Sequence, residues 1–280
     1  MRILSLGWGV QSFALAALSA LGELPPLDAA IHADTTHERS ETYEFAQRWT
    51  PWLEGNGVPV VTVADTSSVI ISHANCLAIY LPAYTCYAVD VYEPDGHYVD
   101  DEFVRNNSRT ITHRAGDPSG MLHRQCTRRW KVLPIRRWLQ ANRHGQPVEQ
   151  WIGITVDEIE RAKPSDVKYI TNRWPLLELG MRRGDVLRWL RDHELEIPVK
   201  SSCVCCPYHD RATWREIQHS GNGDWQRAVA IDEIIRNRRP GYVCYLTAAR
   251  RPLVDCDFSN AEDHGQLALW GEECTGYCFL

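Results

Sequence analysis

No stretch restricts the fold of this chain more tightly than its beginning. Ile3-Leu4-Ser5-Leu6 is an apolar run of strand type, and Phe13, Ala14, Leu15, Ala16, Ala17 and Leu18 continue as a helix apolar enough to pack closely on a sheet. Between them lies Gly7-Trp8-Gly9-Val10-Gln11-Ser12. The two glycines permit a tight turn and a close approach of backbone to a ligand. The helix start offers unpaired N–H groups and the positive end of its dipole, which suits a phosphate. Gln11 and Ser12 add polar side chains there. The spacing is not G-x-G-x-x-G, because Ser12 holds the last glycine position, and no Gly-Lys-Ser/Thr follows to make a P-loop. Taken alone, the corner fits both a phosphate cradle and an ordinary strand-to-helix turn.

The rhythm that follows sets the fold class. A second buried strand is expected over 27–33, ending in His32-Ala33-Asp34-Thr35. A helix is expected over about 39–53, stopped by Gly55-Asn56-Gly57, and a third strand over 58–63. Alternation of this kind predicts an α/β fold, a mostly parallel sheet with crossover helices. Ligands of such sheets bind beyond the carboxyl ends of the strands, where Gly7, Asp34 and Asp65 fall. Residues 66–125 read as a long insertion or lid. Further on, a helix is expected from Thr127 to about Ala141, kinked or restarted at Pro134. A strand over 149–154, an edge element over 169–171, a helix over 185–193 and short helices near 211–219 and 223–237 complete the expectation. The domain reading is a nucleotide-binding α/β domain over 1–200, carrying the insertion, and a cysteine-rich C-terminal helical cap over 201–280 that shares the core.

No apolar run reaches membrane-spanning length, and only Arg2 precedes the first strand, so no signal peptide is expected and the chain is placed in the cytoplasm. The formal net charge is −6, yet ten of the 30 Lys and Arg residues lie between Arg105 and Arg143 with one acid, Asp117. A basic block in an acidic chain suggests a specific anionic ligand. The competing reading, strongest for 128–137, is a helix face paired with acids from elsewhere.

Ten cysteines need a reason in a compartment where stable disulfides are uncommon. Cys203-x-x-Cys206-Pro207 has the spacing of a zinc knuckle or an iron–sulfur ligand pair. No second C-x-x-C stands at zinc-finger distance, so the remaining ligands must come from afar: Cys126 at the turn into the basic helix, and the tail carrying Cys274 and Cys278, with Cys205 as a substitute. Cys76, Cys86, Cys244 and Cys256 read as buried small hydrophobes. Trp8 is read either as a stacking surface for adenine or as cover for the sheet edge, and Asp157 and Glu158 either as magnesium ligands or as caps of the following turn.

Four blocks now stand in order: Ser5 to Ser12; Asp34-Thr35 with Glu41-Thr42-Tyr43 and Phe45; Cys126-Thr127 with Lys131-Val132-Leu133-Pro134 and Leu139; and Gly153-Ile154 with Asp157-Glu158 and Arg161. Over about residues 1–210 the chain thereby resembles the phosphoadenosine phosphosulfate reductase family, within the adenine nucleotide alpha hydrolase-like, PP-loop superfamily. The resemblance implies helices on both faces of the sheet. It also implies an adenine nucleotide held by Ser5, Gly7, Trp8, Gly9, Val10, Gln11, Ser12, Asp34, Thr35, Gly153 and Arg161. A four-iron, four-sulfur cluster, with zinc as the alternative, would be held by Cys126, Cys203, Cys206 and Cys274. The chain departs from the family where Gln125 stands at one position of its double cysteine, and where Glu273-Cys274-Thr275-Gly276-Tyr277-Cys278 only partly matches its E-C-G-x-H tail.

Two chemistries follow from the resemblance. In sulfur transfer the loop binds ATP with magnesium, an acceptor oxygen is adenylated, pyrophosphate leaves and sulfur displaces AMP. The acceptor is expected in a nucleic acid met by the stretch 105–143, and the sulfur to come from a donor such as a cysteine desulfurase. In the alternative, adenylyl sulfate or its 3′-phosphate form is reduced: Cys274 or Cys278 attacks sulfur, Arg161 contacts the anion, and a thioredoxin-like protein releases sulfite. A third reading is a nucleotide- or cluster-binding module without turnover.

Overall fold

The structure is a computed structural model, and it describes residues 1–65, 80–99 and 102–259, with side chains left out of account at 93–110. The chain divides into two compact units. The first comprises Met1–Ser67 and Thr127–Cys203, the second Ser68–Cys126 and Val204–Leu280. The segment expected as an insertion in the first domain is thus grouped with the tail.

The first unit is α/β. Strands β1 (Arg2–Ser5), β2 (Ala29–Asp34), β3 (Val60–Ala64), β8 (Val148–Trp151) and β9 (Ile170–Arg173) form one sheet in the order β3-β2-β1-β8-β9, every pairing parallel. Side-chain alternation divides β1 between two cores. Leu4 faces helix α1 (Val10–Ala20), in which every residue from Phe13 to Ser19 is buried, together with α2 (Ser40–Gly55) and α5 (Arg183–Asp192). Ile3 faces the other side, where Ile135 and Leu139 of α3 (Leu133–Asn142) pack with Ala29, Ile31, Val148 and Ile170. Helices therefore cover both faces, as expected.

Each expected strand of this unit is present with its ends shifted by one to three residues, and the element near 169–171 is indeed at the sheet's edge. The helix expected from Thr127 is two elements. A π-helical turn, Thr127–Val132, precedes α3, because Pro134 has no N–H to continue an α ladder back into the preceding turn. A short helix α4 (Pro175–Glu178) lies before α5.

The second unit is built differently. Strands β4 (Tyr84–Tyr87), β7 (Pro118–Met121) and β10 (Tyr242–Tyr245) form an antiparallel sheet in the order β10-β4-β7, and β5 (Val91–Val99) and β6 (Glu102–His113) form a hairpin. Helices α6 (Arg211–His219) and α7 (Asp224–Ile235) belong to it. Asp232 of α7 is buried and ion-paired to Arg236, and its carboxylate accepts from Leu246 N at 3.1 Å and Leu253 N at 3.0 Å. The chain after β10 is thereby tied to α7. Among the described residues no helix is long and apolar enough to cross a membrane.

Candidate functional site

The strand order of the first unit reverses between β1 and β8: the chain proceeds from β1 to β2 and β3 on one side and places β8 and β9 on the other. Loops leaving the carboxyl ends of two such strands diverge and leave a crevice, the usual ligand position in open α/β sheets. Here those loops are 6–10 and 152–155.

The first loop is held from within. Gly7 N donates to Ser12 Oγ at 3.2 Å, and Ser12 Oγ donates to Gly9 O at 3.1 Å. Phe13 N donates to Gly9 O at 2.9 Å, which begins the helical ladder of α1. Trp8 bridges the two glycines with φ 56°, a left-handed conformation unusual for a bulky residue. Its ring accounts for that. Trp8 is 1% exposed, edge-on to Phe45 at 6.2 Å and to His32 at 6.4 Å. Of the two readings of Trp8, a stacking surface for adenine is thereby corrected: the ring belongs to the core and only the backbone to the loop. Val10 is buried as well, while Ser5 Oγ accepts from Gln150 Nε2 at 2.7 Å across the β1–β8 pair.

The second loop presses on the first. A Cβ on Gly153 would lie 2.9 Å from Ser12 N and 3.0 Å from both Gln11 C and Gln11 Cβ, so only glycine lets β8 approach the helix start this closely. The contact continues through side chains. Gln11 Nε2 donates to Glu158 Oε2 at 3.4 Å, and Arg161 pairs with Glu158. Asp157 Oδ2 accepts from Arg183 N at 2.6 Å, at the start of α5. Glu158 and Asp157 thus organise the turn Val156–Arg161 and its neighbours.

At the end of β2, Asp34 Oδ1 accepts from Thr36 N and from Tyr43 Oη, both at 2.7 Å. Burial, and then the bond to Asp34, push the Tyr43 phenol far above its ordinary range, so it stays protonated and donating. Thr35 turns inward. Its hydroxyl donates to Glu38 Oε1 at 3.2 Å and lies 3.4 Å from Cys203 Sγ.

Glu38, which the sequence reading did not single out, is 1% exposed and ion-paired to Lys131 Nζ at 2.9 Å. Asp65 at the end of β3 is also buried, between Arg129 Nε at 2.6 Å and Arg137 Nη1 at 3.1 Å. Arg136 pairs with Asp166. Four cations of the basic block therefore carry ion pairs within their own unit, as the competing reading anticipated for 128–137. The available signal was an acid at or just past a strand's carboxyl end, as at Asp65 and Glu38.

The described cysteines Cys86, Cys126, Cys203, Cys205, Cys206, Cys244 and Cys256 are free thiols. Cys86, Cys244 and Cys256 are buried as expected of small hydrophobes, and burial raises each of their pKa values. Cys205 is buried too. Of the expected cluster ligands, Cys203 falls in the first unit and Cys126 and Cys206 in the second; Cys274, with Cys278 and Cys76, lies outside the described residues. Among the described residues no three His, Cys, Asp or Glu side chains gather as a metal site.

No protein-family model and no curated protein matches the chain. Among solved structures it is similar to a crystal structure of phosphoadenylyl-sulfate (PAPS) reductase from Candida auris in a phosphate complex. The identity is 10%, the TM-score 0.43, and the match covers 70% of this chain and 74% of that one.

Proposed function

We propose that the first unit binds an adenine nucleotide with its phosphates on the Gly7–Ser12 loop, and that the chain is an ATP-dependent sulfur-transfer enzyme of the ATP pyrophosphatase type. The observation that carries this reading is the seat of Gly153 on Gln11 and Ser12. A glycine is required there only because a second loop is packed onto the N-terminus of α1, at the sheet's switch point. This is where an open α/β sheet receives a phosphate-bearing ligand. The ordered blocks that resemble PP-loop enzymes name the nucleotide.

Each residue then has a task. The N–H groups at the start of α1 take the β- and γ-phosphates, on a loop whose Gly7 N and Gly9 O are already tied to the Ser12 hydroxyl. Asp34 Oδ2 accepts no hydrogen bond among the described residues and serves a magnesium ion or an adenosine donor. An acceptor oxygen attacks the α-phosphorus as the bond to the bridging oxygen breaks, and pyrophosphate leaves with its charge spread over the loop and Arg161. This is stabilisation by donors already in place. A sulfur nucleophile from the donor protein then displaces AMP from the adenylated acceptor. An acceptor in a nucleic acid is part of this proposal.

The test is pyrophosphate release from ATP by anaerobically purified protein across a panel of acceptors. Release that depends on an acceptor, and falls with Gly153→Val, is the expected result. Nucleotide binding without release points to a binding module. Sulfite formed from adenylyl sulfate and a thiol donor, with no pyrophosphate from ATP, replaces the proposal by the reductase reading.

A further inference from the structure

The corner after β2 is arranged around one carboxylate, that of Asp34. β2 runs parallel to β1 with Ile31 level with Ser5, and Leu6 N donates to Ile31 O at 2.9 Å. Asp34 and the Gly7–Ser12 loop thus stand at the carboxyl ends of neighbouring strands, which lie about 5 Å apart. In a 5′-nucleotide the ribose is joined directly to the first phosphate, so phosphates on the loop bring the sugar over an adjacent strand end. On the β8 side Gly153 is already packed on Gln11 and Ser12, which leaves the β2 side for the sugar.

Asp34 is only partly buried, and one of its oxygens is committed. Oδ1 accepts from Thr36 N and from Tyr43 Oη, both at 2.7 Å, and Tyr43 Oη accepts in turn from the Glu38 backbone N–H. The phenol stays protonated, so its proton has one direction, towards Asp34. Thr36 makes its bond from a left-handed conformation, φ 62°, which is uncommon for a β-branched residue. The corner is also held from behind. Arg39 N donates to Ser202 O at 3.1 Å, and Glu38 pairs with Cys203 in a short antiparallel bridge. These contacts fix the carboxylate and leave Oδ2, which accepts no hydrogen bond among the described residues, for a donor from outside.

The cations of this corner are matched to other acids: Lys131 to Glu38 at 2.9 Å and Arg39 to Glu41 at 3.2 Å. A ribose hydroxyl gives Oδ2 a charge-assisted hydrogen bond. A phosphate ester on either ribose hydroxyl brings a like charge against the carboxylate instead. An acid at the end of the second strand takes the ribose hydroxyl in other open α/β sheets that bind nucleotides.

We propose that Asp34 makes the crevice selective for an adenine nucleotide whose ribose hydroxyls are both free, and that Tyr43 is the residue that positions Asp34 for it. The proposal rests on the reading that places the phosphates on the Gly7–Ser12 loop. It admits ATP and adenylyl sulfate, and rejects the 3′-phosphate form of adenylyl sulfate.

Calorimetric titration of the full chain, without magnesium so that the nucleotide alone is read, compares AMP with 2′-deoxy-AMP, 3′-deoxy-AMP and adenosine 3′,5′-bisphosphate. In the wild type at least one deoxy form should bind about tenfold more weakly than AMP, the loss of one hydrogen bond to a charged group, and the bisphosphate about a hundredfold or more. Asp34→Asn should bring the bisphosphate to within about tenfold of AMP. Tyr43→Phe should weaken AMP about threefold to tenfold and shrink the deoxy penalty, yet still reject the bisphosphate, because the charge remains. Equal weakening of all four ligands in that variant would take the positioning role from Tyr43. Equal binding of all four by the wild type, tighter binding of the bisphosphate than of AMP, or an unchanged bisphosphate penalty in Asp34→Asn would overturn the proposal. Those results leave the loop reading standing if AMP binds the wild type and is lost in Gly153→Val. Binding of none of the four to the wild type overturns both.

Discussion

Replacing Gly153 by alanine puts the packing of the two loops to a quantitative test. Its backbone does not need glycine for its φ angle, since it does not lie in the left-handed region; only space is at issue. The added Cβ would fall 2.9 Å from Ser12 N and 3.0 Å from Gln11 C, about 0.4–0.5 Å inside the 3.4 Å at which ordinary contacts begin. Both are backbone atoms of a helix start whose following residues are fully buried, so neither has a flexible group to yield. Overpacking of this kind costs about 1–3 kcal/mol. Loss of glycine's freedom in the unfolded chain returns about 0.4–1 kcal/mol. The expected net effect is destabilisation by up to roughly 2.6 kcal/mol in urea unfolding. Gly184, in the first turn of α5, is the control. A Cβ there meets nothing within 4 Å and its φ is not positive, so Gly184→Ala should stabilise by about 0.5–1 kcal/mol. ATP affinity should fall about tenfold in Gly153→Ala, as the first N–H groups of α1 shift off the phosphate, and hold in Gly184→Ala. Equal stability of the two variants would refute the packing argument. Unchanged ATP affinity in Gly153→Ala would refute the placement of the phosphates.

Two further substitutions probe the polar groups around the site. Asp65→Asn removes the charge that Arg129 and Arg137 share, and should destabilise by about 1–3 kcal/mol. That is below the figure for a fully buried pair, because the two arginines are 25% and 54% exposed; an unchanged unfolding midpoint at low and high salt would contradict it. His32 is held below the ordinary imidazole pKa of 6.5 by burial, against the opposing pull of Glu38, the Leu6 carbonyl and Asp34. The unfolded chain therefore takes up a proton that the folded chain resists. This contribution to stability is present above pH 6.5 and is lost as the pH falls towards the lowered folded value. His32→Gln keeps a donor for the Leu6 carbonyl and should flatten the drop in urea midpoint between pH 7.5 and 5.5; identical drops in variant and wild type would remove His32 from the account.

Local pattern carried much of the first unit. The apolar run at Ile3, the buried face of α1 and the recurring strands at β2, β3 and β8 each depend on neighbours close in the chain, and each formed where the pattern placed it. In the second unit the same approach placed the helices α6 and α7 but none of the strands. β4, Tyr-Thr-Cys-Tyr, has no marked alternation, and it exists because it pairs with β10, whose Val243 meets Cys86 from far along the chain. Pro134 was recognised as a disruption, and the π-helical turn before α3 follows from its missing N–H.

The sequence by itself determined the parallel α/β class, the glycine loop before α1 and the concentration of positive charge before Arg143, because each is set by the order of residue types along a short stretch. Only the tertiary structure decided what those features face. It turned the Trp8 ring into the core, drew Arg129, Arg137 and Lys131 onto Asp65 and Glu38, and set Gly153 against Ser12. Burial, ion pairing and steric exclusion act between groups that are close in space, and the 140 positions between Ser12 and Gly153 hold no local record of which groups the folded sheet will bring together.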